Sequence, residues 1–511
     1  MIKKTIISIS IITSIAMADG NYNYEIEKNE FQKIMKKEMK KNQEKKKYIK
    51  KIKFHKHMKK HNNKIKEEKK AYKEERKILK GMALKSKGDY NKNEYGIVTV
   101  KTVETWIEDW KNNKPENITG KLIILQAGPT QYLKQGHGYI TPNEAEGVYV
   151  YDIGVAGACD THFKRFDGVS DIQGAIINAE MMNFQLNALN IDTNKDMVLL
   201  VTTASTDSAM KGLTRVWMTL KYYGSDMTHV SFLNGSASYV MSPKSDYYEI
   251  LGQMPTMSYP PFGDFDVATN NSNATKIMAT TEDMMKDATE NIDFHFIVDA
   301  RGTDEYEGIK PSEATDITCG EDGKSQCYTA YRGHIKTAVD MSYKLFYDSE
   351  AIEDINGDGK INSLDASYKF KTKREMRKLF KNAGYKKGQI IDAYCRTGRK
   401  ANLPLMAATA ILGYPAKMYD GSWIQWGQLA NNQDKNGTEI LSEKNKWRTD
   451  IDKYSVVIKY EDPINVQPIE HISFDIDEDT INQGKSVRID KNGKTTSLQV
   501  EEDKEAMKNQ N

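Results

Sequence analysis

The strongest constraint on this chain is that it states one pattern twice. VYVYDIG (148–154), GAIINA (174–179), MVLLVTT (197–203), TRVWMTLKYYG (214–224) and VSFLNGSASY (230–239) form a first pass. FHFIVDARG (294–302), GHIKTAVDM (333–341), GQIIDAYC (388–395), LPLMAATAILGYP (403–415) and KMYDGSWIQW (417–426) repeat its order with similar spacing. Short apolar runs alternate with longer helix-like stretches, which implies an α/β fold built on largely parallel sheets flanked by helices. The Pro- and Asn-rich stretch YPPFGDFDVATNNSNAT (259–275) suits a connection between the copies. The expected organisation is a leader over 1–18, an arm over 19–90, a first copy over 91–242, a linker over 243–275, a second copy over 276–430 and an extension over 431–511.

The copies differ where chemistry is expected. In the second, IDAYCRTGRKANLPLM (391–406) places Cys395 between a strand-like run and a helix-like run, with Arg396, Arg399 and Lys400 directly after it. Backbone N–H groups at the start of a helix have no intrahelical partner, and together with three cations they favour an anion in the loop. That field favours the thiolate, the nucleophilic form of cysteine, over the inert buried thiol that many cysteines are. The first copy has Thr203 to Thr206 at the corresponding place and lacks a nucleophilic sulfur.

MIKKTIISISIITSIAMADG opens the chain with two lysines, an apolar stretch from Ile6 to Ile15 and a small-residue cleavage site at Ala16-Met17-Ala18. This reads as a secretory signal peptide, so a periplasmic or secreted protein is expected. In an oxidising compartment Cys319 and Cys327, within TCGEDGKSQCY, are near enough to close a small disulfide loop. Cys159, in VAGACDTHF, has three readings: a buried thiol, a surface residue, or a group facing Cys395 that could accept sulfur or form a regulatory disulfide.

Charge is concentrated in one segment. Residues 33–80 hold 22 Lys or Arg against 6 Glu, a net of +16, whereas the whole chain is +3. With no Pro or Gly between Gly20 and Gly81, the segment favours helix, and residues 33–80 would span roughly 72 Å. Its apolar residues are too sparse for a sustained heptad seam. The arm reads as a solvated helical or disordered spacer, or as an attachment to an anionic surface or protein partner. His55, His57 and His61 share no helical face, and no nucleic-acid partner is expected. At the other end SVVIKY (455–460) alternates like a packed strand, and KEAMKNQN (504–511) reads as frayed or disordered.

VDARGTDEYEG, GHIKTAVDM, YCRTGRKA and YDGSWIQW together resemble tandem rhodanese-type sulfurtransferases, over about residues 97–430. The resemblance implies two rhodanese-like domains, a degenerate first one and an active second one. It implies that Cys395 takes sulfur from a donor as a persulfide and passes it to a thiol or cyanide-like acceptor. Arg396, Thr397, Gly398, Arg399 and Lys400 would be the loop that binds substrate, and its cations favour thiosulfate, polysulfide or another small anionic donor. A non-enzymatic sulfur carrier tethered by the arm is the alternative. Asp299 and Arg301 read as an ion pair holding a loop, Trp423 as an aromatic packed beneath a turn, and Lys336-Thr337 as a departure at a turn often built from Pro-Gly. Phosphatases of related fold use Cys-x5-Arg, and the position that would carry the arginine is Ala401.

DINGDGKINSLD (354–365) has the oxygen-ligand spacing of a calcium loop. Asp354, Asn356, Asp358, Lys360 through its carbonyl, Asn362 and Asp365 would be the ligands, with Gly359 at the sharp turn. The expected role is structural stiffening, and no organic cofactor is expected. An Asn- and Asp-rich surface turn is the plainer reading of the same residues.

Overall fold

The computed structural model describes residues 24–88, 90–127, 137–153, 164–166, 171–173, 175–203, 206–241, 244–251, 259–310, 327, 329–354, 359–362, 365–429, 448–460, 487–489 and 495–508. Two compact units are present, one up to Lys73 and one from Glu74 onward.

The described residues of the first unit are helical. Helix α1 runs Tyr24–Gly81, roughly 87 Å at 1.5 Å per residue. Up to Lys73 its apolar side chains Ile34, Met39, Tyr48, Ile49, Ile52, Phe54 and Met58 are exposed, as the lack of a heptad seam implies. Among the described residues no helix is long and apolar enough to cross a membrane.

The second unit is built on two five-stranded parallel sheets. The first comprises β1 (Gly96–Val98), β2 (Leu122–Ala127), β3 (Val148–Asp152), β4 (Met197–Thr202) and β5 (Val230–Leu233), in the order β1-β5-β4-β2-β3. The second comprises β6 (Met278–Ala279), β7 (His295–Asp299), β8 (Val339–Asp340), β9 (Ile390–Tyr394) and β10 (Ala416–Tyr419), in the order β6-β10-β9-β7-β8. The two orders are the same permutation, which is the repeat expressed as topology.

One element of the repeat falls elsewhere than the sequence pattern suggests. Val148–Gly154 looks like the partner of Phe294–Gly302, yet the sheet gives that inner position to Leu122–Ala127 and puts Val148–Asp152 at the edge. LIILQA is buried along its whole length and apolar but for Gln126, as suits a strand covered on both faces, and it lacks the acidic end that makes VYVYDIG resemble FIVDARG.

Alternation along these strands sets the layers. Ile123 and Leu125 of β2, Val198 and Leu200 of β4 and Phe232 of β5 share one buried cluster with Val298 of β7 and Ile391 and Ala393 of β9. Leu122 and Ile124 turn to a second cluster on the other face of the first sheet, and Ile297, Tyr394 and Tyr419 to a third beyond the second sheet. Cys395 continues the Ile391–Ala393 series and belongs to the shared cluster.

The connection between the halves is packed. Asn187 accepts from the Phe265 amide at 2.7 Å and donates to its carbonyl at 2.8 Å, and Asn270 donates to the Tyr223 carbonyl at 2.6 Å. Tyr248–Leu251 pairs antiparallel with His137–Ile140 of the first half. From the extension, Ser455–Ile458 pairs antiparallel with Arg332–Ile335. The far C-terminus departs from the expected frayed end. Leu498–Ala506 is helical, Met507 is buried and the Tyr222 hydroxyl donates to Asp503 at 2.9 Å, so the segment has partners that its composition does not disclose.

The Lys336-Thr337 turn carries a measurable cost. Thr337 has φ +66°, a left-handed conformation that a β-branched residue rarely adopts. Thr337→Gly should raise the unfolding free energy by about 1 kcal/mol, because the strain removed exceeds the added flexibility of the unfolded chain. Urea unfolding of the two proteins checks this.

Candidate active site

Strand β9 ends at Tyr394, and Cys395 begins the loop that leads to helix α3 (Asn402–Met406). The helix opens into a π turn at Ala407–Ile411. Cys395 is buried and is the free cysteine among the described residues.

A second loop laces onto the first. After β10, Ser422 adopts φ +51°, accepts from the Cys395 amide at 3.3 Å and donates to the Tyr419 carbonyl at 2.9 Å. The Trp423 amide donates to the Cys395 carbonyl at 2.9 Å and the Ile424 amide to the Arg396 carbonyl at 3.2 Å. Asn402 closes the other side, its side-chain amide donating to the Gly398 and Arg399 carbonyls at 2.9 and 3.0 Å. The cysteine loop is thus fixed at its start, middle and end.

Gly398 lies against a buried ion pair that joins the halves. Arg215, on helix α2 (Asp207–Tyr222) of the first half, bonds Asp420 of the second, and both side chains are nearly inaccessible. The other Asp420 oxygen accepts from the Ile176 amide at 3.0 Å. Gly398 has φ +78°, and a Cβ there would lie 2.6 Å from Asp420 Oδ1.

The cations expected from sequence surround this loop, and they have company. Arg396, Arg399 and Lys400 are half-buried, while Thr397 and Gly398 are buried. Lys400 pairs with Glu305 at 3.0 Å. Burial opposes the charged form of Glu305, but Lys400, the Gly302 amide and Arg301 outweigh it and hold the carboxyl at about 2. Lys400 also lies 5.5 Å from the centre of the Tyr343 ring. From α2, Lys211 lies 5.4 Å from the same ring centre.

Asp299 and Arg301 form the expected ion pair. Arg301 Nε donates to Asp299 Oδ1 at 2.9 Å, and Nη2 reaches Asp299 Oδ2 at 2.5 Å and the Gly333 carbonyl at 2.6 Å. The Tyr394 hydroxyl donates to the same carboxylate at 2.6 Å, and Arg301 stacks 4.5 Å from the Trp423 ring centre. This is a buried brace beneath the two loops, and Trp423 is the aromatic packed under the turn.

The first half closes over the position of Thr203 with a shorter loop, since α2 starts at Asp207. Thr206 caps the helix by accepting from the Ala209 amide at 3.1 Å. Asp207 is held by the hydroxyls of Tyr343 at 2.8 Å and Tyr347 at 2.7 Å, both from the second half. Burial first, and then the Asp207 charge, raise both tyrosines above their usual range.

Other expected site residues divide. In the proposed calcium loop Asp354 Oδ2 accepts from the Gly359 amide at 2.8 Å and Asp365 Oδ2 from the Asn362 amide at 3.0 Å, with Asp365 buried and Lys360 exposed. Asn356 and Asp358 lie outside the described residues. Cys327 is buried and disulfide-bonded, whereas Cys319 and Cys159 lie outside the described residues.

Sequence reasoning passed over Arg215, Glu305, Lys211 and Tyr343. An arginine inside the apolar run TRVWMTL was the available signal for the first; the others carry none until the halves are packed. It also passed over a buried group in the second sheet. Asp287, His295 and Asp392 are close enough to hold a metal ion, but Lys417 sits 2.9 Å from Asp287 and 3.8 Å from Asp392 and supplies the positive charge. Glu75, near the end of α1, adds a 2.9 Å contact to Lys417. Despite burial, Asp392 raises the His295 imidazole, and the surrounding carboxylates raise Lys417.

Comparison with known proteins bears on the same residues. The rhodanese-like domain family model matches residues 281–429, from the helix after β6 to the helix carrying Trp423. The second half is a rhodanese-like domain. A protein of Haloferax volcanii named as a putative thiosulfate sulfurtransferase is 26% identical over 213 residues, covering 41% of this chain and 59% of its own. The sulfur carrier protein TtuD of Thermus thermophilus is 37% identical over 71 residues, 14% of this chain and 25% of the carrier. This chain therefore spans less than two thirds of either relative. Among solved structures, SseA of Escherichia coli, titled a 3-mercaptopyruvate sulfotransferase, aligns with a TM-score of 0.42 at 17% identity over 64% of this chain and 99% of that one.

The Gly398 contact gives a direct test of this rhodanese loop. Gly384 has φ +100° with open space around it, so Gly384→Ala should cost only backbone strain, about 1 kcal/mol. Gly398→Ala must also displace Asp420 from its buried bond with Arg215, and should cost about 3 kcal/mol or more. Equal losses in urea unfolding would show that the ion pair does not brace the loop.

Proposed function

We propose that this protein is a sulfurtransferase that moves sulfane sulfur from a small anionic donor to a thiophilic acceptor through a persulfide on Cys395. The observation that carries the reading is the free, buried Cys395 in a doubly laced loop beside Arg396, Arg399 and Lys400, within a rhodanese-like domain. The name given to the haloarchaeal relative supports thiosulfate as the donor class.

The residues divide the work as follows. The Cys395 thiolate attacks the outer sulfur of thiosulfate; a sulfur–sulfur bond forms to the protein, the one within thiosulfate breaks, and sulfite leaves with the electron pair. Cyanide or a thiolate then attacks the outer persulfide sulfur and the Cys395 thiolate departs. Charge is conserved in both steps, so no redox partner is needed. Positive groups fixed before reaction stabilise the anions that meet and separate. Ser422 and Asn402 hold the loop so that little reorganisation accompanies the change from thiolate to persulfide.

A carrier role is the second reading, favoured by the match to a protein named as a sulfur carrier. The readings part on turnover. Intact mass after brief exposure to thiosulfate should rise by one sulfur atom in the unaltered protein and not in Cys395→Ser, and cyanide should reverse the gain and sustain cycling. Loading without cycling would favour the carrier, and no loading by any donor would remove both.

We also propose that residues 354–365 bind calcium as a structural ion. The hydrogen bond from the Gly359 amide to Asp354, at the first ligand position, supports this. Calcium at a hundredfold excess over its dissociation constant should raise the unfolding free energy by about 2.7 kcal/mol. Asp354→Ala should abolish that gain, read by thermal unfolding with and without chelator.

A further inference from the structure

We propose that Lys211, supplied by the first half of the chain, is a donor-binding residue that selects sulfur donors carrying a second negative charge, such as thiosulfate. The assignment rests on the sulfurtransferase reading and deepens it by naming the residue that reads the donor's head group.

Geometry places Lys211 at the site. Helix α2 packs on helix α3, which follows the cysteine loop. Lys211 and Lys400 approach one ring, that of Tyr343, from opposite halves of the chain at 5.4 and 5.5 Å. The neighbouring lysines have carboxylate partners: Lys400 has Glu305 at 3.0 Å and Lys344 has Asp207 at 3.8 Å. Among the described residues no carboxylate lies within ion-pair distance of Lys211. Asp207, the nearest acidic group acting on it, is bonded to Tyr343 and Tyr347.

A half-buried ammonium in that position is electrostatically incomplete. The groups that face it are Asp207 on its own helix, Tyr343 from the second half, and Arg396, Arg399 and Lys400 of the cysteine loop. Burial, and then the three cations against the pull of Asp207, lower Lys211 to about 8. A dianion bound among these groups would restore the balance, and an ammonium bonded to a charged oxygen gains more than a neutral hydrogen bond does. Thiosulfate presents such an anionic head one bond from the sulfur it gives up.

The test compares two sulfane donors of nearly equal shape. Thiosulfate leaves as sulfite after transfer. The methanethiosulfonate anion has a methyl group in place of one charged oxygen and leaves as methanesulfinate, so each transfer conserves atoms and charge. With cyanide as acceptor, Lys211→Gln should lower kcat/KM for thiosulfate about tenfold or more and change that for methanethiosulfonate less than twofold. In the unaltered protein kcat/KM for thiosulfate should fall as pH rises through about 8, where Lys211 loses its proton. That decline should be absent in Lys211→Gln and displaced upward in Lys211→Arg, which should retain most thiosulfate activity. Retained activity with methanethiosulfonate also shows that the variant is folded. Equal losses with both donors, or an unchanged preference, would overturn the assignment while leaving the sulfurtransferase reading intact. If neither donor loads Cys395 in the unaltered protein, both readings are overturned.

Discussion

The buried bond between Arg215 and Asp420 is the interaction on which the candidate site depends. It spans the two halves, sits in contact with the position of Gly398, and leaves that residue room only because it has no side chain. A charge pair taken out of water contributes little net stability in general, but removing one partner strands the other at a cost of about 3–5 kcal/mol. Its value here is one of specification. The Ile176 amide completes the carboxylate's bonding, so the turn at Asp420–Ser422 has one permitted placement, and the cysteine loop laced to that turn inherits it.

The two halves differ at the end of the fourth strand, where the second carries Cys395 and the first Thr203. Both sheets have the strand order that brings a loop to the end of the fourth strand. In the second half the loop runs from Cys395 to Ala401 and is wide enough to be held by Asn402 and Ser422. In the first half the helix begins at Asp207, and the loop closes with Thr206 as its cap. The first half lends instead a helix whose one side supplies Arg215 as brace and whose earlier turn carries Lys211 towards the cations of its counterpart.

Much of this was legible in the sequence, for physical reasons that differ by residue. Cys395 and its cations are adjacent in the chain, so their electrostatic meaning survives without coordinates. The Asp299–Arg301 brace is likewise local, and the repeat announces the two sheets. The assignment of Leu122–Ala127 to an inner strand was not legible, because LIILQA, apolar but for Gln126, has no acidic end to align against VDARG. Nor were Glu305 and Tyr343 readable as neighbours of the loop, since their roles exist only across long sequence separations. The packed C-terminal helix was hidden by its polar composition, with Met507 and Asp503 as the residues that find buried partners.

The root of the basic helix is tied to the last-made part of the second sheet. Glu75 meets Lys417 across 342 positions, and Arg76 donates to the Gly388 carbonyl across 312. A contact of that order cannot form while the chain is still emerging, because its partner strand does not yet exist. The base of the arm therefore stays unanchored through most of synthesis and locks only when β9 and β10 are in place. Anchoring at Glu75 is in this sense a completion mark, one of the last long-range contacts available to the nascent chain.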